Sequence, residues 1–159
     1  MNDTDNNQTP QYSIGTVARM LGVSVFTLRL YEQRGLILTY KSEGKQRLYS
    51  ESDIERLKCI RAAISDHKIS IEGIRRIQSM VPCWENVKCQ MEQRLACPAY
   101  AASEAGCWTY NHKSNVCAGL DCLRCNVYLV SGDCGKIKSL VHHQPNLLSG
   151  TTDLTQKGT

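Results

Sequence analysis

The sequence predicts a mainly α-helical protein in two parts, a winged helix-turn-helix followed by a small cysteine-rich, metal-bound module. Three observations predict it. Apolar residues recur at helical spacing from Ile14 to Val81, a Gly22-Val23-Ser24 break interrupts them early, and eight of the nine cysteines fall between Cys83 and Cys134. With 159 residues, of which 42% are hydrophobic, the chain can bury one core or two small ones.

Residues 1–11, rich in Asn, Asp, Thr and Gln, lack apolar periodicity and read as a disordered tail. Ile14, Val17, Ala18 and Leu21 then repeat at i, i+3, i+4 and i+7, one helix face, with Ser13 where an N-cap accepts a first-turn N–H. Gly22 stops this helix because a residue without Cβ enters left-handed φ/ψ at no steric cost. Ser24 caps a second helix running to Gly35, with Val25, Leu28 and Tyr31 inward and Thr27, Arg29 and Arg34 outward. Leu36, Ile37 and Leu38 read as an apolar strand, and Ser42, Glu43 and Gly44 as the turn of a hairpin whose tip carries Lys45, Gln46 and Arg47. Ser50 and Asp53 form an approximate capping box for a third helix with Ile54, Leu57, Ile60 and Ile64 along its stripe. Cys59, on this helix, reads as a small packed residue. Ser70 caps a fourth helix that returns Ile71, Ile74, Ile77 and Val81 to the core, and Pro82 stops it. Its Arg75 and Arg76 either reach a phosphate backbone or stay hydrated.

The net charge of +4 is only mildly basic, but Tyr12 to Pro82 holds 12 Lys/Arg against 7 Asp/Glu, a local +5. Hydroxyl and guanidinium groups on the second helix suit phosphates and base edges, and a local excess of positive charge attracts nucleic acid. The run Ile14-Gly15-x-Val17-Ala18, Gly22-Val23-Ser24, Thr27-Leu28-Arg29-x-Tyr31-Glu32-x-x-Gly35-Leu36 and Arg47-x-Tyr49-x-x-x-Asp53 resembles the winged helix-turn-helix of the MerR family of bacterial transcription regulators. The resemblance covers about the first half, residues 12–82. It implies that the second helix enters the major groove with Arg29 and Tyr31 among its contacts, and that Thr27 and Arg47 meet phosphates. Thr16, Arg19, Ser24, Lys45 and Tyr49 complete the candidate DNA-contacting set. Many members carry a second aromatic where this chain has Leu30, so that contact does not carry over. The resemblance further implies double-stranded promoter DNA and RNA polymerase as partners, a homodimer, and a pseudo-palindromic operator whose spacer is deformed.

From Cys83 to Cys134 the pattern is Cys83-Trp84, Cys89, Cys97-Pro98-Ala99-Tyr100, Cys107-Trp108, Cys117, Cys122-x-x-Cys125-x-Val127-Tyr128, then Cys134. One small layout is used twice. This resembles the two-CW domain, a cysteine-rich module attached to several bacterial signalling proteins, which implies a sensory role for residues 83–134. Clustered thiolates bind soft or borderline metals, and Cys122-x-x-Cys125 brings two sulfurs within reach of one ion. The candidate ligands are Cys83, Cys89, Cys97, Cys107, Cys117, Cys122 and Cys125. Their loose spacing leaves open an iron-sulfur cluster, zinc, a redox-active disulfide at Cys122 and Cys125, or a reduced metal-free core. Trp84, Val87, Met91 and Leu95 predict a short amphipathic core helix between Cys83 and Cys97. The two prolines leave no room for the long dimerisation helix usual in the resembled family, so a dimer through the cysteine-rich module is the natural substitute. His142 and His143 fall in a polar segment, residues 135–159, that reads as a flexible tail.

No apolar run approaches the ~20 residues needed to span a bilayer, and the polar, acidic N-terminus is no leader. The expected location is the cytoplasm, where thiols stay reduced. No triad order, paired acids, phosphate loop or dinucleotide fingerprint stands out, so no catalysis is expected. The leading reading is a promoter-binding regulator sensing a metal or redox signal through its C-terminal cysteines. The alternatives are a metal-carrying or thiol-redox protein that uses the helix-turn-helix as a docking platform, and an architectural or recombination accessory protein.

Overall fold

The computed structural model describes residues 7–113 and 115–134, so the expected flexible tail at 135–159, with His142 and His143, lies outside the described residues, as do residues 1–6. Strand β1 (Tyr12–Ser13) leads into α1 (Ile14–Leu21), α2 (Val25–Gln33), β2 (Tyr40–Lys41) and β3 (Arg47–Tyr49). The long α3 (Glu51–Ser65) and α4 (Ile71–Ser79) follow. Beyond Pro82 the described residues form short pieces: α5 (Cys83–Asn86), α6 (Met91–Leu95), α7 (Pro98–Ala101), three 3-10 turns and α8 (Asn126–Ser131).

The caps set these boundaries. The Ser13, Ser24 and Ser70 hydroxyls each accept the backbone N–H three residues on, at 3.3, 3.0 and 3.0 Å. The Ser50–Asp53 box is closed in both directions. Gly22, at φ +62°, ends α1 in the left-handed region, and α1 and α2 then meet at 107°. Val17, Leu28, Leu36, Ile37, Tyr49, Ile54 and Leu57 are almost fully buried in one core shared by α1 to α3 and the wing. Asp53 sits within this core. Burial pushes its carboxyl up, against the opposing pull of the Ser50 backbone and hydroxyl hydrogen bonds.

The strands differ from expectation. Leu36 and Ile37 are buried, but the segment from 36 to 39 is irregular, and the wing's paired residues are Tyr40↔Leu48 and Lys41↔Arg47. Tyr12↔Tyr49 and Ser13↔Leu48 add β1 on the other side, giving the antiparallel order β1-β3-β2. Apolar residues were read as a strand because burial and strand formation share the same residue types; here the segment is anchored by side chains of other elements instead. Asn7 and Gln11, assigned to a disordered tail, are bonded: the Asn7 carbonyl accepts from the Ser52 N–H, and the Gln11 N–H donates to the Tyr49 carbonyl. Ile77, expected in the core, is 37% exposed, while Ile74 and Val81 are buried as expected. The amphipathic helix expected between Cys83 and Cys97 is broken into α5 and α6, and Met91 and Leu95 are 54% and 71% exposed rather than core.

Candidate nucleic-acid interface and thiol pocket

The outer face of the helix-turn-helix is built by α2. Arg29 is exposed, as are Arg19 on α1, Ser24 at the α2 cap and Lys45 in the wing turn, whereas Thr16, Thr27 and Arg47 are half-buried. The Ser24 and Thr27 hydroxyls are 2.9 Å apart, so they stand together at the α2 N-terminus. Lys45 takes φ +57°, and its N–H donates to the Ser42 carbonyl, which folds the wing tip. Arg47 is not free: its Nε donates to Glu32 Oε2 at 2.5 Å, while Thr39 Oγ1 donates to Glu32 Oε1 at 2.9 Å. Glu32 therefore clamps the wing to α2, and its carboxylate raises the Arg47 guanidinium above its ordinary value. Arg34 and Arg75, which sequence left outward or ambiguous, both pair with Glu72, at 2.9 and 2.5 Å.

The seven candidate ligand cysteines converge. Cys83, Cys89, Cys97, Cys107, Cys117, Cys122 and Cys125 all line one small cavity of about 40 Å³, together with His112, Tyr100 and Val127. Burial, then mutual repulsion between neighbouring thiolates, pushes Cys107 far above the ordinary thiol range and Cys117 up to about 11. Cys83 and Cys122 are raised mainly by burial too. Raised in this way, Cys83, Cys107, Cys117 and Cys122 favour the neutral thiol until a soft cation takes the place of the proton. Among the described residues no three His, Cys, Asp or Glu side chains are grouped as a shell around a single ion. The donor chemistry fits a soft metal; a ready-made mononuclear site is absent from this arrangement.

Two features of the module escaped the sequence reading. His112 faces the pocket with Nδ1 3.8 Å from Cys97 Sγ and 3.3 Å from Asn115 Nδ2, and its Nε2 lies 2.8 Å from the Cys107 carbonyl. Its position five residues after Cys107 was the available signal. The other is Cys59, expected to be a packed residue of α3, which is disulfide-bonded to Cys134 across a sequence separation of 75. The seven pocket cysteines are free. A pairing over such a separation leaves no trace in local spacing.

The duplicated layout is visible as packing. Trp84 meets Tyr100 edge-on with centroids 5.2 Å apart, and Trp108 meets Tyr128 in the same way at 5.2 Å. In each pair the tyrosine follows three residues after a cysteine that caps its short helix, Cys97 for α7 and Cys125 for α8. The second pair forms the seam with the helix-turn-helix. Trp108 Nε1 donates to the Gly35 carbonyl at 2.8 Å, and the Leu38 N–H donates to the Tyr128 hydroxyl at 2.8 Å. Gly35, at φ +72°, is approached so closely that a Cβ there would lie 2.5 Å from Thr109 Cγ2. Gln78 Nε2 adds a bond to the Leu36 carbonyl at 3.2 Å. The irregular segment after α2 is therefore held by Trp108 and Tyr128 from one side of the chain and by Gln78 of α4 from the other. Arg56, 3% exposed, completes the seam: its guanidinium lies 3.7 Å from the Tyr128 ring centroid and donates to the Tyr128 carbonyl and to Ser131 Oγ.

Residues 12–81 match the family described as MerR HTH family regulatory protein. Residues 12–81 form a MerR-type helix-turn-helix domain. The chain is 40% identical over 80 residues to the HTH-type transcriptional regulator ZntR of Escherichia coli, covering 50% of this chain and 56% of that protein. It is 34% identical over 88 residues to the heat shock protein HspR of Streptomyces coelicolor, covering 55% and 56%. To the mercuric resistance operon regulatory protein of Pseudomonas fluorescens it is 36% identical over 58 residues, covering 36% and 40%. The chain spans about half the length of the curated relatives it matches, 56% for the first two. These similarities support a helix-turn-helix regulatory domain over residues 12–81.

Within this MerR-type domain one expected DNA contact, Tyr49, is corrected, and a second, Tyr31, packs its ring in the core. Tyr31 is 6% exposed and Tyr49 is fully buried, both in the hydrophobic core. Burial raises both phenols, Tyr49 to about 12. The Tyr49 hydroxyl is itself buried and cannot also meet a phosphate. Their rings pack in the core, and the outward positions of α2 beside Tyr31, Arg29 and Gln33, lie two residues to either side of it, on the opposite face. Among the described residues no single helix is long and apolar enough to cross a membrane.

Proposed function

We propose that this protein is a promoter-binding transcription regulator in which the thiol pocket carries the signal. The MerR-type domain holds double-stranded promoter DNA with α2 in the major groove, Arg29 on base edges, and Thr16, Arg19, Ser24, Thr27, Lys45 and Arg47 along the phosphates. A homodimer reading two half-sites works with RNA polymerase at the promoter, in the cytoplasm. The pocket cysteines and His112 are the groups that hold a soft metal or an iron-sulfur cluster; a bound group of this kind supplies redox or metal-exchange chemistry there. Zinc is the other occupant that thiolates and imidazole suit. Regulation of a mercuric resistance operon by one relative supports a thiol-seeking signal, and the likeness to a two-CW module supports sensing by residues 83–134.

The observation that carries the reading is the seam. Cys107 adjoins Trp108, and Cys125 caps the helix bearing Tyr128; these two aromatics hold the Gly35 and Leu38 backbone between α2 and the wing. A change at either thiol shifts the backbone that sets the angle between recognition helix and wing. The device works only if the signal binds the two arrangements with different affinity, and the output then depends on how the spacer DNA deforms.

Two measurements test this. Arg29→Ala, at an exposed site, should weaken operator binding about 5- to 100-fold with an unchanged urea midpoint; equal affinity at physiological salt would exclude Arg29 from the interface. Metal and acid-labile sulfide, assayed on protein purified without oxygen, should amount to at least one soft metal ion per chain, lost on Cys107→Ser. Protein free of metal, whose operator affinity is also indifferent to thiol oxidation, would remove the sensory reading. Tight metal binding with no site preference on DNA would instead favour a metal carrier that uses the helix-turn-helix for docking.

A further inference from the structure

The solvent face of α2 is a stripe of three side chains, Phe26, Arg29 and Gln33, at i, i+3 and i+7, all exposed. Phe26 is the only phenylalanine in the chain, and at 75% it is the most exposed large apolar side chain among the described residues. It belongs to neither the core nor the partly buried shell packed on it. A phenyl ring left in water forgoes the burial that drives folding, so its position contributes nothing to stability that a polar residue would not. The ring is the second residue of the recognition helix, and the first-turn residues of such a helix are those that reach base edges. Around it stand Ser24 and Thr27, whose hydroxyls are engaged with each other at the cap, and Arg29, which is exposed. Of the other highly exposed apolar residues, Met80 and Leu95 lie beyond α1 and α2, and Met20, 52% exposed, lies on α1 rather than on the recognition helix. In the major groove the only apolar feature of a base pair is the C5 methyl of thymine, and a phenyl ring is among the groups that contact it.

We propose that Phe26 is a specificity-determining residue that packs on a thymine methyl group in the operator major groove, beside the base edge taken by Arg29. This rests on the DNA-binding reading above. The contact makes no hydrogen bond, so it discriminates thymine from cytosine and from purines by shape and apolarity alone, and it dries the site at which Arg29 bonds its base.

The test uses the full chain and a duplex operator recovered by selection from random sequence. Each thymine is replaced singly by uracil, which removes only the methyl group and keeps every hydrogen bond. Wild-type protein should lose about fourfold in affinity at one position in each half-site, the worth of one buried methyl. Phe26→Ala should bind the parent operator more weakly by a similar factor and be indifferent to uracil at that position, with the thymine penalty intermediate for Phe26→Leu. Because the ring is exposed, its loss should leave the urea midpoint unchanged, so weak binding is not misfolding. Identical uracil penalties at every position for wild type and Phe26→Ala overturn the proposal while leaving DNA recognition standing. Selection that yields no preferred sequence for the wild-type chain overturns the DNA-binding reading and this step with it.

Discussion

Arg56→Ala should cost about 3 kcal/mol or more of unfolding free energy, read as a lowered urea midpoint, because it breaks the most buried charged contact of the seam. Arg56 is 3% exposed, stacked on Tyr128 with Trp108 near, and donates to the Tyr128 carbonyl and Ser131 hydroxyl. Burial lowers its pKa, while the Tyr128 phenol and the Asp53 carboxylate oppose that drop. The alanine variant leaves a cavity between two aromatic rings and deprives Asp53 of its nearest buried cation. Arg56→Lys should fall between, since an ammonium keeps the charge but not the planar fork that stacks and bonds at once. Arg56→Met keeps the volume without the charge; wild-type stability in that variant would mean that packing alone holds the seam. The seam also carries the proposed signal, so Arg56→Ala should weaken the dependence of operator affinity on thiol state more than it weakens operator affinity itself.

The second large effect comes from the Cys59–Cys134 bond. It joins α3 of the DNA-binding half to the end of the cysteine-rich module, 75 residues on. Constraining a loop of that length in the unfolded chain is worth about 4 kcal/mol in the chain-entropy account. Cys59→Ser should therefore lower the stability of oxidised protein by roughly that much, and dithiothreitol should bring the wild type down to the same level while leaving the variant unmoved. Thiol titration of denatured protein provides the direct check: seven reactive thiols before reduction, matching the free set, and all nine cysteines after it. Nine thiols before reduction would show that Cys59 and Cys134 are not joined in solution. The bond lies outside the pocket that holds the other thiols.

Much of the helical framework was legible because its determinants are local. Ser13, Ser24, Ser50 and Ser70 cap the four helices that periodicity predicted, and Gly22 turns the chain where a left-handed residue is required. Sequence misjudged what depends on contacts between distant segments. Leu36 to Leu38 have strand-like composition, yet the backbone from Gly35 to Leu38 is held by Gln78, Trp108 and Tyr128, from 42 to 90 residues away. Tyr31 and Tyr49 occupy motif positions suggestive of DNA contact but point inward. Trp84 and Val87 are separated from Met91 and Leu95 by the break between α5 and α6, so the helical spacing of the four carries no shared face.

The sequence by itself determined the helix-turn-helix, its caps, the basic excess of the N-terminal half and the chemistry available to seven clustered thiols, because residue type and short-range spacing dictate all of these. Only the tertiary structure decided that those thiols share one cavity with His112, that the second Cys-Trp unit grips the backbone after the recognition helix, and that Cys59 pairs with Cys134. Those facts depend on which surfaces meet when the chain closes on itself, and long-range packing fixes that through shape and burial rather than through any spacing along the chain.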